Sequence, residues 1–231
     1  MSGAWLWAIA LPLAVSFGVT AILRHSRWAV GLADEPNERS LHSAPTPRVG
    51  GLGVLAGAIP VAAVFADPAV ATLLACATLL AVVSLRDDWK SLPIEVRLPA
   101  HAAAATVAVL VIASPGSGHT GLGAVEAMLA VLAIVWMTNL FNFMDGSDGL
   151  AGGMAAIGFA TFGFAACSAG EMPLALASGA LAAANVGFLA HNFPPARVFL
   201  GDAGSVPLGF LAGALGLLGM LAGAWPPWFP V

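Results

Sequence analysis

Charged side chains are scarce in this sequence: Asp, Glu, Lys and Arg make up 9% of its 231 residues, against about a quarter in soluble domains. With 59% hydrophobic residues and so little charge, the chain is not disordered, and it has too few charged residues to form the surface of a soluble protein. Its only two cysteines, Cys76 and Cys167, each lie in a long apolar run, which excludes a disulfide framework and a cysteine-based zinc site. The net charge of -4 argues against nucleic acid as a partner. Lipid is therefore the expected solvent for most of the surface.

Long apolar runs, by contrast, are abundant. Eight of them reach the length of about 17 residues that a helix needs to cross a bilayer, and none alternates as a barrel strand would. The sequence therefore predicts an all-α integral membrane protein with about eight transmembrane helices. Residues 1–23 contain no lysine or arginine, so the first run is interpreted as a retained helix and not as a signal peptide. The predicted spans are residues 3–23, 50–66, 69–85, 98–114, 124–144, 150–168, 173–193 and 206–224.

Basic residues are unevenly distributed between the connections of these spans. If the N-terminus is outside, all 8 lysines and arginines fall on one side, which the positive-inside rule assigns to the cytoplasm. All 12 acidic residues except Asp67, Glu126 and Glu171 fall there as well, although acidic residues contribute little to topology. We therefore expect one membrane domain over residues 1–231, with a cytoplasmic site built from carboxylates. The cytoplasmic connections are residues 24–49, 86–97, 145–149 and 194–205.

The first cytoplasmic connection contains three prolines and two adjacent glycines in residues 34–51, so it is predicted to run extended. Its cations Arg39, His42 and Arg48 would then line an anion-facing surface at the membrane boundary. Arginines that serve only as a positive-inside anchor are the alternative. The density of Pro, Asn and Thr around them favours a binding site.

Asp87 and Asp88 are adjacent at the end of the third span. Two neighbouring carboxylates at a lipid boundary repel each other and lose hydration unless a cation neutralises them. Mg²⁺ is a cation that binds one or two carboxylates together with phosphate oxygens. The alternative is an interfacial pair neutralised by Arg86 and Lys90.

A polar stripe begins inside the fifth span. Its members recur every three residues and are therefore predicted neighbours on one helix surface. Amides and carboxylates at this depth are costly in lipid and mark ligand paths, whereas polar contacts between helices are the structural alternative. The stripe consists of Asn139, Asn142, Asp145 and Asp148.

The fourth connection ends in Gly201-Asp202-Ala203-Gly204-Ser205, directly before the last span. Such a loop presents a carboxylate and backbone N–H groups at a helix N-terminus, which suits a metal-bound phosphate. A helix cap followed by a turn is the alternative. In the last span, Gly209 and Gly213 are spaced for close packing and predict a surface that needs a helix partner.

The order of these motifs resembles that of the polyprenyl-phosphate N-acetylhexosamine-1-phosphate transferases. The matching segments read D-x-P-N-x-R-S-x-H-x-x-P-T-P-R-x-G-G, D-D, N-x-x-N-F-M-D-G-x-D-G-L-A-G-G and F-L-G-D-x-G-S, between about residues 31 and 210. The first segment is nearest to members that initiate O-antigen synthesis. The resemblance implies transfer of a sugar 1-phosphate from a UDP-N-acetylhexosamine to undecaprenyl phosphate, with release of UMP and a requirement for Mg²⁺. It places the chain in the bacterial inner membrane as a multi-pass protein and leaves a homodimer open.

The same resemblance implies roles for individual residues. Asp202 corresponds to the metal ligand, and Asp87 and Asp88 to the catalytic pair at the phosphates, with Asp87 as base or nucleophile. The residues implied to bind substrate are Asn142, Asp145, Asp148, His42 and Arg48.

Two departures from the family pattern stand out. His101 occupies a position where the family commonly has glutamine, and neutral packing is expected there. Family members generally carry two further spans around a histidine-containing loop, so this chain is expected to be either a fragment or a short variant that transfers little on its own. The rival hypothesis is an ion-coupled transporter or lipid-binding membrane protein that uses the same carboxylates, although transporters place such residues near the membrane midplane.

Overall fold

The computed structural model describes residues 2–34, 45–114 and 121–229, and the long elements within them are all helices. Two short strands, β1 (Ala33–Asp34) and β2 (Thr46–Pro47), pair in antiparallel fashion. The helices are α1 (Ser2–Leu23), α2 (Arg27–Gly31), α3 (Gly50–Phe65), α4 (Pro68–Trp89), α5 (Ile94–Ile112), α6 (Ala124–Met144), α7 (Leu150–Ala169), α8 (Met172–Asn192) and α9 (Asp202–Leu221).

The expected membrane architecture is confirmed. Seven of the described helices are long and apolar enough to cross a bilayer, and α3 is a shorter apolar helix. The bounds differ from expectation where helix ends are polar, because α4 continues beyond its expected end to Trp89 and α9 begins earlier, at Asp202. Apolar runs stop at charged residues, whereas helical hydrogen bonding continues through them. Asp87 and Asp88 consequently lie in the last turn of α4.

The polar stripe is helical only in its first half. α6 ends at Met144, so Asn139 and Asn142 are helical, whereas Asp145 and Asp148 lie in the turn that leads into α7. The prediction that all four share one helix surface is therefore wrong. Glycines on both sides of Ser147 weaken the helix at this point, and the turn frees both carboxylates to meet another segment.

Helices α8 and α9 are the most buried helices of the bundle. Buried residues make up 72% of the most apolar stretch of α8 and 78% of that of α9, against 17% for α6. Helices α1, α3 and α7 pack on α8, while α4 and α6 pack on α9. Gly209 and Gly213 of α9 lie against Thr138 and Ile134 of α6, so the partner that their spacing predicts is a helix within this chain.

The first residues of α3 and α9 cross in close contact. A Cβ atom on Gly51 would lie 2.2 Å from the Cα atom of Gly204, so only two glycines permit this approach. Backbone hydrogen bonds extend the contact, since the Gly50 and Gly51 N–H groups donate to the carbonyls of Phe199 and Leu200 (2.9 and 2.8 Å). This crossing fixes the loop before α9 beside the loop before α3.

Candidate active site at one end of the bundle

Four aspartates from three separate parts of the chain meet at one end of the bundle. Asp87 and Asp88 come from the last turn of α4, Asp145 follows α6 directly, and Asp202 is the first residue of α9. The antiparallel course of consecutive helices brings these ends together. The predicted convergence of the carboxylate-bearing connections is therefore present in the fold.

Two of these aspartates bind the start of α9 through its backbone. The N–H groups of Leu200 and Gly201 donate to Oδ1 and Oδ2 of Asp145 (3.0 and 2.7 Å). The next two N–H groups, of Asp202 and Ala203, donate to Oδ1 and Oδ2 of Asp88 (3.1 and 2.9 Å). We call the four consecutive N–H groups of residues 200–203 the amide row. Because the first N–H groups of a helix lack partners within it, the two carboxylates cap α9.

The amide row depends on the backbone of Gly201. Its φ of 72° lies in the left-handed region, and a Cβ atom there would lie 2.7 Å from the carbonyl oxygen of Arg48. Burial raises the pKa of Asp145 to about 7, although two N–H donors favour its charged form. The N–H groups that were expected to face a metal-bound phosphate are thus already bound by the chain's own carboxylates.

The other two aspartates face a small cavity. Its volume is about 100 Å³, and its lining includes Ser84, Asp87, Arg97, His101, Asn142 and Asp202; we call it the site cavity. Nη1 of Arg97 lies 2.9 Å from Oδ2 of Asp87 and 3.9 Å from Oδ2 of Asp202. A guanidinium thus stands between two carboxylates and offsets their mutual repulsion.

Asn142 fixes the orientation of Asp202. Its Nδ2 donates to Oδ1 of Asp202 (2.7 Å) and to Oγ of Ser205 (3.1 Å), and that hydroxyl donates to the carbonyl of Gly201 (3.0 Å). One oxygen of Asp202 is therefore held by an amide while the other faces Arg97. A carboxylate restrained in this way is suited to hold a ligand in one position.

The residues of the site cavity fit a magnesium ion that is shared with a substrate. Mg²⁺ is commonly bound by one or two carboxylates, with phosphate oxygens and water completing its shell. Asp87 and Asp202 supply those carboxylates on one cavity wall. In the described ranges no group of three or more His, Cys, Asp or Glu side chains forms a complete metal site of its own.

Comparison with known proteins identifies the family of this chain. Residues 70–220 match the model of Glycosyl transferase family 4. The chain belongs to this family. The matched residues contain the paired aspartates, the polar stripe and the loop before α9, so the resemblance inferred from the motifs is confirmed.

The curated relatives of this chain are named as polyprenyl-phosphate N-acetylglucosamine 1-phosphate transferases. The chain is 32% identical over 217 residues to a probable undecaprenyl-phosphate N-acetylglucosaminyl 1-phosphate transferase of Bacillus subtilis (strain 168), covering 87% of the chain and 59% of the relative. It is 33% identical over 198 residues to an undecaprenyl-phosphate alpha-N-acetylglucosaminyl 1-phosphate transferase of Escherichia coli (strain K12), covering 78% and 53%. A decaprenyl-phosphate N-acetylglucosaminephosphotransferase of Mycobacterium tuberculosis (strain ATCC 25618 / H37Rv) is 31% identical over 229 residues, covering 87% and 56%. The chain thus spans little more than half the length of these relatives.

The remaining predicted residues of this family 4 chain lie around the amide row. Oδ2 of Asp148 accepts the N–H group of Ala196 (2.9 Å), so Asp148 binds backbone, as Asp145 does. Arg48 lies 3.9 Å from Asp34, and its charge also acts on the carboxylates of Asp88 and Asp202. His42 lies outside the described residues.

Arg97 and Asn192 are site residues that the sequence reasoning did not single out. Arg97 was counted only as a cytoplasmic charge, because it precedes the expected fourth span, yet α5 begins at Ile94 and carries it into the site cavity. An isolated arginine within a helix that otherwise faces lipid was the available signal. Asn192 links two turns, since its Oδ1 accepts the Gly149 N–H (3.0 Å) and its Nδ2 donates to the Val198 carbonyl (2.9 Å).

Proposed function

We propose that this chain transfers N-acetylhexosamine 1-phosphate from a UDP-sugar to a polyprenyl phosphate such as undecaprenyl phosphate and releases UMP. Such a reaction starts the assembly of a surface polysaccharide or cell-wall glycan. The observation that carries the proposal is the site cavity, which is lined by Asp87, Asp202 and the nearby Arg97 at the end of a membrane bundle. Membership of family 4 supports the same chemistry, and so do the names of the relatives, which are N-acetylglucosaminyl 1-phosphate transferases.

The reaction exchanges one phosphorus–oxygen bond for another. An oxygen of the lipid phosphate supplies an electron pair to the phosphorus attached to the sugar, and the bond to UMP breaks with its electron pair on the UMP oxygen. Because two polyanions approach each other, positive charge is needed where they meet. Arg97 supplies one such charge, and Asp87 is placed to accept a proton if the lipid phosphate carries one.

The carboxylates of Asp202 and Asp87 are the groups proposed to hold Mg²⁺. When bound, Mg²⁺ would neutralise charge that develops on the phosphate oxygens. Asn142 restrains Asp202 and also lines the site cavity, so it is proposed to contact substrate. Arg48 and, on sequence alone, His42 are proposed to attract the nucleotide phosphates.

Asp88, Asp145 and Asp148 receive a different role from the one that the family pattern implied. Both oxygens of Asp88 and of Asp145 accept backbone N–H groups, and one oxygen of Asp148 does the same. We propose that the three act as positioning residues for the loop before α9. Any contact of these residues with the nucleotide would come through their remaining lone pairs.

The position of the site argues against the transporter alternative. Coupling residues of transporters lie near the bilayer midplane, often between broken helices. Here the carboxylates occupy the last turn of α4, the first residue of α9 and the turn after α6, all at helix ends. A site at the membrane boundary is suited to a reaction between a water-soluble nucleotide and a lipid phosphate.

We propose that this end of the bundle faces the cytoplasm of a bacterium, where UDP-sugars are made. The test introduces single cysteines at Ser91, Ala196 and Pro68 in a background without Cys76 and Cys167. Cysteines at Ser91 and Ala196 should resist an impermeant thiol reagent in intact cells, whereas one at Pro68 should react. Reaction at Ser91 and protection at Pro68 would invert the orientation.

The enzymatic proposal is tested with the purified chain in lipid nanodiscs. UDP-N-acetylglucosamine, UDP-N-acetylgalactosamine and undecaprenyl phosphate are supplied with Mg²⁺, and UMP and labelled lipid are measured. We expect UMP and lipid-linked sugar phosphate in equal amounts, at the low rate expected of this chain on its own, and neither when EDTA is present or when undecaprenyl phosphate is omitted. Ion or solute flux in proteoliposomes without any UMP release would replace this proposal with the transporter hypothesis.

A further inference from the structure

Two nitrogen atoms in the lining of the site cavity lack hydrogen-bond partners. His101 of α5 is 6% exposed, and its Nδ1 is buried without a partner among the described residues. Nε of Arg97, four residues earlier, is likewise buried and unpartnered. Residues four apart lie on the same face of a helix, and both side chains line the site cavity.

Buried polar groups of transmembrane helices are normally bonded, because lipid offers no substitute for water. Neighbours of the site cavity follow this rule: the Thr138 hydroxyl donates to the carbonyl of Ile134, and the Asn139 amide to that of Val135. The two nitrogens on α5 are therefore exceptions at the position where a ligand is expected. Nε of arginine always carries a hydrogen, and Nδ1 of histidine carries one in one of its two neutral tautomers.

The lining of the site cavity contains groups of opposite charge. Asp87 and Asp202 are suited to a cation, whereas α5 contributes Arg97 and His101, each with one unpartnered nitrogen. The volume of about 100 Å³ corresponds to about three water molecules at the density of the liquid. A single phosphate group is of that scale.

We infer that His101 is a substrate-binding residue: with Arg97 it forms a phosphate-binding wall, in which Nδ1–H of His101 and Nε–H of Arg97 donate to oxygens of one phosphate group. The inference rests on the proposed function and goes beyond it, because it assigns the phosphate to α5 and not to the amide row. The amide row is unsuited to the task because Asp88 and Asp145 already accept its four N–H groups. Two phosphate groups meet in the reaction, the diphosphate of the UDP-sugar and the monophosphate of the lipid, and both share this chemistry.

The first experiment measures ligand binding to the whole chain in nanodiscs with Mg²⁺ present. Uridine, UMP and UDP are titrated against the wild type, His101→Leu and His101→Gln. We expect His101→Leu to weaken UDP binding about tenfold, as loss of a hydrogen bond to a charged group does, and to leave uridine binding unchanged. His101→Gln keeps an N–H donor and should retain most of the affinity. If His101→Leu does not fold, His101→Phe keeps a ring and repeats the test.

Ser178→Ala is the matched control. Ser178 on α8 is also buried with an unpartnered side-chain atom, but it is not part of the site cavity lining. Its replacement should change neither UDP binding nor turnover. Loss of UDP affinity in Ser178→Ala as large as in His101→Leu would mean that any buried unpartnered group has this effect, and would overturn the inference.

The second experiment separates the two phosphate sources by steady-state kinetics. A raised KM for the UDP-sugar assigns the wall to the nucleotide diphosphate, and a raised KM for undecaprenyl phosphate assigns it to the lipid phosphate. A changed Mg²⁺ requirement in His101→Leu, with UDP affinity at saturating Mg²⁺ intact, would make His101 a metal ligand and overturn the inference. If the wild type turns over and His101→Leu keeps the same KM values and UDP affinity, this inference is overturned while the proposed function stands. A wild type that neither binds UDP nor releases UMP would remove the proposed function, and this inference with it.

Discussion

The aspartates at the site end form two pairs with opposite uses of the same functional group. Asp88 and Asp145 turn all four oxygens toward the amide row. Asp87 and Asp202 each turn only Oδ2 toward Arg97, while their Oδ1 atoms accept the Leu92 N–H and the Asn142 amide. Asp87 and Asp88 are consecutive, and consecutive residues of an α-helix point about 100° apart. Asp88 can therefore bind the amide row while Asp87 lines the site cavity.

The comparison teaches that carboxylates in a membrane site serve either the fold or the ligand according to their partners. Backbone N–H donors that are fixed by a helix start hold the first pair in place and leave few lone pairs free. In the second pair, one cation, Arg97, lies near both carboxylates, and one backbone N–H and one side-chain amide hold the other oxygens, an arrangement that a substrate or metal can change. The two pairs should respond differently to substitution.

The largest expected effect concerns the cavity-facing pair. Asp87→Asn and Asp202→Asn should each lower Mg²⁺-dependent UMP release at least about a hundredfold, because each removes charge at the reacting phosphates. Their melting temperatures should stay near that of the wild type, since an amide of equal size replaces each carboxylate. UMP release and thermal melting of the nanodisc protein measure the two quantities.

Glu126→Gln is the control for this comparison. Glu126 lies at the start of α6, away from the site, where its Oε2 accepts the Gly123 N–H (2.7 Å). Its replacement should leave UMP release unchanged. Wild-type turnover in Asp202→Asn would remove Asp202 from the metal site.

The next largest effect concerns the pair that binds the amide row, and it appears in stability. Asp145→Ala leaves two buried N–H groups without partners and should lower the free energy of unfolding by about 2–4 kcal/mol. Asp88→Ala removes a helix cap that is less buried and should cost about 1–2 kcal/mol. Urea-dependent unfolding of the detergent-solubilised protein gives both values.

Asp67→Ala is the matched control for a capping aspartate. Asp67 caps α4 at the opposite end, where Oδ1 accepts the Val70 N–H (2.8 Å), so it should lose about 1 kcal/mol and retain UMP release. An Asp88→Ala protein with wild-type stability and the activity loss of Asp87→Asn would contradict the positioning role. Asp88 would then be catalytic, as the family pattern implies.

The last expected effect is a dependence of stability on pH. Burial raises the pKa of Asp145 to about 7, against about 3.9 in an unfolded chain. Between these values the folded state binds more protons than the unfolded state, so the free energy of unfolding contributed by Asp145 falls as pH rises. This contribution is fully present below about pH 4 and is lost above about pH 7.

Melting temperatures of the wild type and Asp145→Asn from pH 4 to pH 8 test this dependence. The difference between the two proteins isolates Asp145, because all other groups titrate in both. We expect the wild type to lose a few degrees relative to Asp145→Asn as pH rises through the window. A relative gain would show that the N–H groups of Leu200 and Gly201 outweigh burial.

Much of the architecture was predictable from the sequence because bilayers impose a simple rule. Apolar runs predicted the seven described helices that are long enough to cross the membrane and the shorter α3, and the cavity-facing Asp87 and Asp202 were among the candidate residues. The family followed from motif order. Errors occurred at helix ends, where polar residues continue a helix without adding to an apolar run, as in the last turn of α4.

The sequence by itself determined the membrane class and the set of acidic residues available for chemistry, since these depend on composition and local order. Only the tertiary structure decided which carboxylates bind the amide row and which line the site cavity. The partners of Asp88 and Asp145 are backbone N–H groups more than fifty residues away, brought close by the packing of α4 and α6 on α9. A hydrogen bond depends on the distance and direction between donor and acceptor. The adjacent residues Asp87 and Asp88 are chemically identical, and they reach different partners only after the helices have packed.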